Sequence, residues 1–192
     1  MKIGVLFEGD KDERPLKELI KHIVELLCPG VQLSIVSFVA DGPIESKILA
    51  AITEFFENKK CDLAIFVSDT DRDHSKRSKL IRKVKDLNAI NEPVVVACPD
   101  PELEEWFFEE EAAVKAVFGL AGDQPVSYSH LRPKERINKL WVESSILDIT
   151  VSVIDTYEKI ASKMDVSSPT FLKRSSSFLK FYKDFTNLLR KN

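Results

Sequence analysis

Acidic side chains follow three apolar runs of this chain, and each run has the length of a strand. In chain order the acids are Glu8, then Asp69 and Asp71, then Asp100. Because parallel strands place their carboxyl ends along one edge of a sheet, we expect these side chains to converge there. Carboxylate oxygens are the ligands that hard divalent cations prefer. The sequence therefore predicts a site for Mg²⁺ or Mn²⁺ at this edge.

The spacing of Asp69 and Asp71 adds to this prediction, because side chains two residues apart in an extended segment face the same way. Asp73 continues the series, although it would also suit the cap of the helix that follows. Each acid alone is explained as well by a turn or a helix cap. Carboxylates that gather repel one another, so three acidic strand ends together favour a site. Gly9 is interpreted as the hinge that exposes Glu8.

Strand and helix patterns alternate through the first half of the chain. Apolar runs predict strands at 3–7, 62–67 and 93–98, and alternating apolar and polar residues predict a strand with one less buried face at 31–39. Helical spacing predicts helices at 15–27 and 44–56 and a basic helix at 72–85. This alternation predicts an α/β fold with a mostly parallel central sheet of about four strands, flanked by helices.

After residue 100 the strand pattern ends, and helical patterns cover 102–118, 133–142, 146–163 and 175–189. The predicted organisation is an α/β domain over 1–110 and a helical extension over 111–192 that packs on the same core. The 192 residues, 44% of them hydrophobic, suit one compact unit.

The segment 100–111 holds seven acids and no base, and a solvated helix face explains most of them. Glu104 is the exception that we single out, because it follows closely on a strand end.

Basic side chains near the acids are candidates for contact with a phosphate or a nucleic acid. They are Lys11, Arg72, Lys76, Arg77 and Lys134. A solvated basic face is the simpler explanation for the helix at 72–85. Lys11 lies within the acidic turn, where it would pair with a substrate phosphate or neutralise its acidic neighbours.

Other features narrow the functional classes. A net charge of −3 gives the whole molecule no general attraction for nucleic acid. The three cysteines are far apart, as expected of buried thiols in a reducing cytosol, and no glycine-rich nucleotide motif is present. Ser175–Ser177 precede a helical pattern and are expected to cap it rather than to act as nucleophiles. No apolar run reaches about 18 residues, so we expect a cytoplasmic protein without a membrane partner.

Taken together, these motifs resemble a known domain. Glu8-Gly9 at one strand end and Asp69-x-Asp71 at a later one resemble the Toprim domain of topoisomerases, bacterial primases and OLD (overcoming lysogenization defect) nucleases. Segment 8–12 resembles the Glu-Gly-x-Thr-Glu form of the OLD-like branch, with departures at Lys11 and Asp12. Segment 101–106 resembles the Pro-Glu-x-Glu-x-Trp motif of a Toprim-like family of short prokaryotic proteins without an assigned function, and segments 132–135 and 175–181 also fit that family.

The resemblance implies a Toprim-like fold and a set of roles. Glu8 would be the general acid/base and also a metal ligand, and Asp69 and Asp71 would bind magnesium and share the catalytic role. Asp12 and Glu104 would be further metal ligands, with Asp73 and Asp100 as secondary acids.

The activity implied is metal-dependent cleavage of phosphodiesters, as in a nuclease of prokaryotic defence or of a mobile element. Nucleic acid would be the substrate, and a separate ATPase is a conceivable partner. Two alternatives stay open: a non-catalytic Toprim-like module that binds nucleic acid or a protein, and a phosphotransferase or phosphoacceptor domain that would use Asp69.

Overall fold

The structure is a computed structural model that describes residues 1–87, 92–122, 126, 131–144 and 152–190, without the side chains of Pro133, Lys134 and Glu143. Its four strands are β1 (Lys2–Phe7), β2 (Ser34–Val39), β3 (Leu63–Val67) and β4 (Val94–Ala97). They form one sheet in the order β2-β1-β3-β4, and every pairing is parallel. The prediction of an α/β fold with a parallel sheet of about four strands is confirmed.

The register of the two central strands decides which residues meet at the carboxyl edge. Leu6 of β1 pairs with Phe66 of β3, so Glu8 and Ser68 follow at equal height. β1 and β3 are buried along almost their whole length, as their unbroken apolar runs predict. β2 is an edge strand with partly exposed side chains, as its alternating sequence indicates.

Of the three helices predicted in the first half, the first begins slightly earlier than its apolar spacing suggests, the second is broken and the basic helix begins later. A 3₁₀ turn at Asp10–Asp12 leads into α1 (Glu13–Leu27), and the predicted helix 44–56 is divided into a 3₁₀ turn (Ile44–Ser46), α2 (Ile48–Ile52) and a π-helical segment (Thr53–Asn58). The basic helix α3 covers Lys76–Leu87 instead of 72–85. Its start is delayed because Asp71 and Arg72 have positive φ angles of 50° and 68°, which no α-helix accommodates.

The second half is helical, with α4 (Leu103–Glu109), α5 (Glu111–Phe118), α6 (Pro133–Glu143), α7 (Val153–Ala161), α8 (Pro169–Arg174) and α9 (Ser176–Leu189). The single helix predicted over 102–118 is wrong, because the backbone leaves the helical conformation at Glu110, whose side chain caps α5 by accepting from the amide of Ala113. Residues 146–151 of the helix predicted over 146–163 lie outside the described residues. α8 has no counterpart in the sequence-based prediction.

Apolar side chains pack on both faces of the sheet. One face contacts α1 and the C-terminal helices, and the other contacts α2, the π-helical segment and α3. Gly4 is required on the second face, since a Cβ there would lie 2.4 Å from the Phe55 ring. On the first face Trp106 of α4 stacks on Phe181 of α9 at 5.3 Å, so helices after residue 110 share a core with the strands.

None of the described helices is long and apolar enough to span a bilayer.

Candidate functional site

Glu8 lies at the carboxyl edge of the sheet and makes two polar contacts. Its Oε1 accepts a hydrogen bond from the Ser68 hydroxyl at 2.5 Å and lies 3.4 Å from the Lys76 ammonium. Lys76 is also 3.2 Å from Oδ2 of Asp71, and only 17% of its side chain is exposed. Burial opposes the charge of Lys76, but Glu8 and Asp71 outweigh it and raise its pKa. One ammonium group therefore bridges two of the predicted catalytic acids.

Asp69 follows β3 and is more enclosed than Asp71. Its Oδ1 accepts a hydrogen bond from the backbone amide of Leu103, the first residue of α4, at 2.9 Å. Burial, together with the charges of Asp12, Glu104 and Glu8, raises the pKa of Asp69 to about 8, against the opposing effect of the Leu103 bond. We call Glu8, Asp12, Asp69 and Glu104 the acid cluster.

Local structure brings the other two members of the acid cluster to Asp69. Asp12 ends the 3₁₀ turn, where its backbone amide donates to the carbonyl of Gly9. Glu104 lies in the first turn of α4 and is 8% exposed, so the expectation of a solvated helix face does not hold for it. Gly9 has φ −130° and ψ 148°, an extended conformation open to any residue. The interpretation of Gly9 as a glycine-dependent hinge is therefore wrong.

The segment after Asp69 is not extended, which changes the relation between the two aspartates. Asp71 has a left-handed backbone and a 68% exposed side chain, and it contacts Lys76 instead of the amide of α4. Asp69 and Asp71 therefore make separate contacts rather than facing the same way.

Asp73 and Asp100 both pair with side chains of the segment that joins β3 to α3 or of the start of α3. The Asp73 carboxylate accepts hydrogen bonds from the amide and hydroxyl of Ser75 and from Lys79, which lower its pKa to about 2. Asp100 accepts from the Thr70 hydroxyl at 2.6 Å and lies 3.3 Å from His74. We call Asp71, Asp73 and Asp100 the loop acids.

The predicted phosphate contacts are dispersed. Lys76 lies beside Glu8, whereas Arg77 points to α9 and pairs with Asp184 at 2.6 Å. Arg72 is exposed and lines a cavity of about 580 Å³ together with Asp71 and Asp100. Lys11 is exposed and lines a second cavity, of about 390 Å³, together with Asp12 and Glu104. Lys134 lies in α6, and its side chain is outside the described part of the chain.

Two further residues at this edge escaped the sequence-based reasoning. Ser68 could have been found, because parallel register at the ends of β1 and β3 places it opposite Glu8. Tyr157 of α7 lines the smaller cavity, yet it lies far along the chain in an ordinary helical pattern. Ser175 behaves as expected, since its hydroxyl caps α9 by accepting from the amide of Phe178.

The donors of the acid cluster are carboxylate oxygens, which suit Mg²⁺ or Mn²⁺ and not a soft metal. In the conformation described, no three His, Cys, Asp or Glu side chains of the described ranges are arranged as a ready-made metal site. The fit to a hard cation therefore rests on the donor type and on the charge gathered around Asp69.

Comparison with known proteins found no neighbour: no family model matches the chain, and no curated protein or solved structure matches it.

Proposed function

We propose that this protein is a metal-dependent phosphodiesterase of the nuclease type, with a Toprim-like fold and with the acid cluster as its metal site. The observation that carries the proposal is the meeting of these acids at one edge of the sheet, where Asp69 accepts from the amide of Leu103 and the next residue, Glu104, is 8% exposed. Burial and the charges of Asp12, Glu104 and Glu8 raise the pKa of Asp69, and such a gathering of acids is unfavourable unless a cation or a proton joins it.

The position of the acids in the fold supports the same proposal. Glu8 and Asp69 follow β1 and β3, the two central strands of a parallel sheet, where α/β proteins bind ligands. The Toprim-like motifs assign the general acid/base and a metal ligand to these two positions. The agreement between motif and position favours phosphodiester chemistry over a purely structural role.

Asp12, Asp69 and Glu104 would hold the metal together with Glu8, whereas Asp71 contacts Lys76 instead. When bound, Mg²⁺ stabilises negative charge on a phosphoryl oxygen and lowers the pKa of water. Nucleic acid is the proposed substrate, because its backbone is the commonest phosphodiester.

The chain's own groups would supply the remaining chemistry. Glu8 accepts a hydrogen bond from the Ser68 hydroxyl and would take the proton of the attacking water as a general base. The Lys76 ammonium, 3.4 Å from Glu8, would stabilise the charge that develops on the phosphate. The amide of Leu103 fixes the orientation of the Asp69 carboxylate.

A cleavage assay with plasmid DNA, linear DNA and RNA in Mg²⁺ or Mn²⁺ tests the proposal. We expect Glu8→Gln and Asp69→Asn to lower the rate by about 100-fold or more, since each removes a charge used in the reaction. Asp73→Asn is the matched control, because Asp73 pairs with Ser75 and Lys79 instead of the acid cluster, and it should cleave like the wild type. Absence of cleavage, or full activity in Glu8→Gln and Asp69→Asn, would overturn the proposal.

A non-catalytic module that binds nucleic acid or a protein is the second candidate. It is favoured by the Lys76 ammonium, which already neutralises Glu8 and Asp71 without a metal. Thermal unfolding with increasing Mn²⁺ separates the two candidates. The enzyme predicts a rise in Tm that Asp69→Asn abolishes, whereas the module predicts no such rise.

A further inference from the structure

The two edge strands of the sheet have different surroundings. β4 is covered, since α9 packs against it and both Val95 and Val96 are buried. β2 has β1 as its strand partner among the described residues, and its side chains are half-buried or exposed along its whole length. An open strand edge presents backbone N–H and C=O groups to which a further strand can bind. Of the two edges, β2 is therefore the one that can accept another strand.

The backbone groups of β2 alternate between β1 and the open edge. The amides of Ser34 and Ala40, at the two ends of this segment, donate to carbonyls of the β1 strand region at 2.9 and 2.8 Å. In a parallel ladder every second residue bonds to the same neighbour, so the N–H and C=O groups of Ile35, Ser37 and Val39 point away from β1. Within the described part of the chain, no hydrogen bond to these backbone groups is present. They are therefore available to a partner strand.

The sequence of β2 lacks the features that usually keep open strand edges apart. Residues 31–39 contain no charged side chain and no proline, and the pairing of β2 with β1 continues over six residues without a bulge. Charges, prolines and bulges are common on natural edge strands because each disfavours the approach of a second strand. Val31 and Val39, at the two ends of this segment, are exposed. The open edge of β2 is therefore suited to pairing with another strand.

The order of residues in β2 is symmetric about Ser37. Two apolar residues precede it, Ile35 and Val36, and two apolar residues follow it, Phe38 and Val39. If two copies of β2 pair antiparallel about a twofold axis at Ser37, Ile35 of each copy lies opposite Val39 of the other. Val36 then lies opposite Phe38, so each of these apolar side chains meets another and no charges are opposed. A twofold contact requires a surface that is complementary to itself, and β2 meets this condition.

We propose that β2 pairs with β2 of a second copy of this chain, antiparallel and centred on Ser37, so that two four-stranded sheets join into one. The outward N–H and C=O groups of Ile35, Ser37 and Val39 then form about six hydrogen bonds between the two copies. Because the two sheets run in opposite directions, their carboxyl edges lie on opposite sides of the joined sheet. Each acid cluster stays within one chain, so this proposal is independent of the proposed phosphodiesterase function.

Sedimentation velocity over a dilution series tests the proposal. The wild type should sediment as a dimer, with twice the chain mass of 21.8 kDa. Ser37→Pro removes the outward N–H at the twofold axis and leaves the bonds to β1 in place, since proline is tolerated where the amide of an edge strand points outward. It should weaken the dimer by about 10-fold or more, because two hydrogen bonds between the copies are lost.

A charge at the edge provides a second variant with a matched control. Val39→Lys changes an exposed side chain and places an ammonium group opposite Ile35 of the other copy, so it should also weaken the dimer by about 10-fold or more. Because Val39 is exposed, this variant tests the contact even if Ser37→Pro does not fold. Val142→Lys makes the same substitution at an exposed valine of α6 and should dimerise like the wild type.

Amide hydrogen exchange followed by NMR locates the contact on β2. The amides of Val36 and Phe38 bond to β1 and should exchange slowly in dimer and monomer alike. The amides of Ile35 and Ser37 should exchange about 10-fold or more slowly in the wild-type dimer than in monomeric Val39→Lys. A monomeric wild type at every concentration, an unchanged dimer in either β2 variant, an equal loss in Val142→Lys, or equal exchange of the Ile35 and Ser37 amides in dimer and monomer would overturn the proposal.

Discussion

Asp69 and Asp73 are four residues apart at the same edge of the sheet, and their surroundings move their pKa values in opposite directions. Asp69 is buried among carboxyl groups and has a pKa of about 8, whereas Asp73 accepts hydrogen bonds from Ser75 and Lys79 and has a pKa of about 2. Asp69 accepts from one backbone amide beside three other acids, whereas the exposed Asp73 accepts from an amide, a hydroxyl and an ammonium group. The residue type alone therefore does not mark a site, but an acid placed among other acids does.

The pH dependence of stability is the strongest test of this contrast, measured by urea unfolding without divalent ions. Between pH 4 and 8 Asp69 is ionised in the unfolded chain and protonated in the folded one, so unfolding releases a proton and stability falls as the pH rises. Asp69→Asn keeps an acceptor for the Leu103 amide and cannot ionise. At pH 9 we expect this variant to be more stable than the wild type by about 3 kcal/mol.

The pH dependence of the free energy of unfolding should be compared between the wild type and Asp69→Asn, because burial also raises the pKa of Glu109, to about 7. Glu109 lowers the free energy of unfolding as the pH rises, and it does so equally in the wild type and in Asp69→Asn. Parallel pH profiles of the two proteins would contradict the description of Asp69.

Lys76 lies between the two regions, since it contacts Glu8 of the acid cluster and Asp71 of the loop acids. Lys76→Met removes the ammonium from both and should lower the free energy of unfolding by about 1–2 kcal/mol, between the values for exposed and buried ion pairs. Lys79→Met is the matched control on the same helix, because Lys79 pairs with the exposed Asp73 and has no second acidic partner among the residues that the structure describes. An equal loss of unfolding free energy in the two variants would show that the contacts of Lys76 with Glu8 and Asp71 add no more stability than an exposed ion pair.

Asp73 should give the smallest effect. Asp73→Ala removes the acceptor of the Ser75 amide before α3, and we expect a fall in Tm of about 2 °C in differential scanning calorimetry at pH 7. Because the folded pKa of Asp73 is lowered, its contribution is present above pH 4 and is lost as the pH falls towards 2. A fall in Tm that persists at pH 2 would contradict this assignment.

The strands were predictable because their sequences carry one dominant pattern. β1 and β3 are unbroken apolar runs, as is typical of parallel strands that are buried on both faces. The helix predicted over 102–118 failed for a local reason, since Glu110 breaks it and caps the next helix, which a test of apolar spacing does not detect. Helix interruptions depend on single side-chain contacts that periodicity does not record.

The sequence predicted the acids of the candidate site only where their order along the chain determines their position in the sheet. Glu8 and Asp69 follow central strands, so the sheet topology brings their ends together. The different surroundings of Asp69 and Asp71 depend on the left-handed backbone of Asp71 and Arg72. Neither residue is a glycine, so the sequence gives no sign of this turn. Tyr157 reaches the cavity through the packing of α7 against α1, a contact between distant segments that no local pattern encodes.

The hydrogen bond from Trp106 Nε1 to the Ser177 hydroxyl, 2.8 Å long, links α4 to α9 two residues after Glu104. The amide of Leu103, the first residue of α4, also donates to Asp69, so a displacement of α9 would move both Glu104 and Asp69. Chain deletions that remove residues 176–190, or fusions that pull on them, would therefore perturb the carboxylates from the opposite end of the sequence.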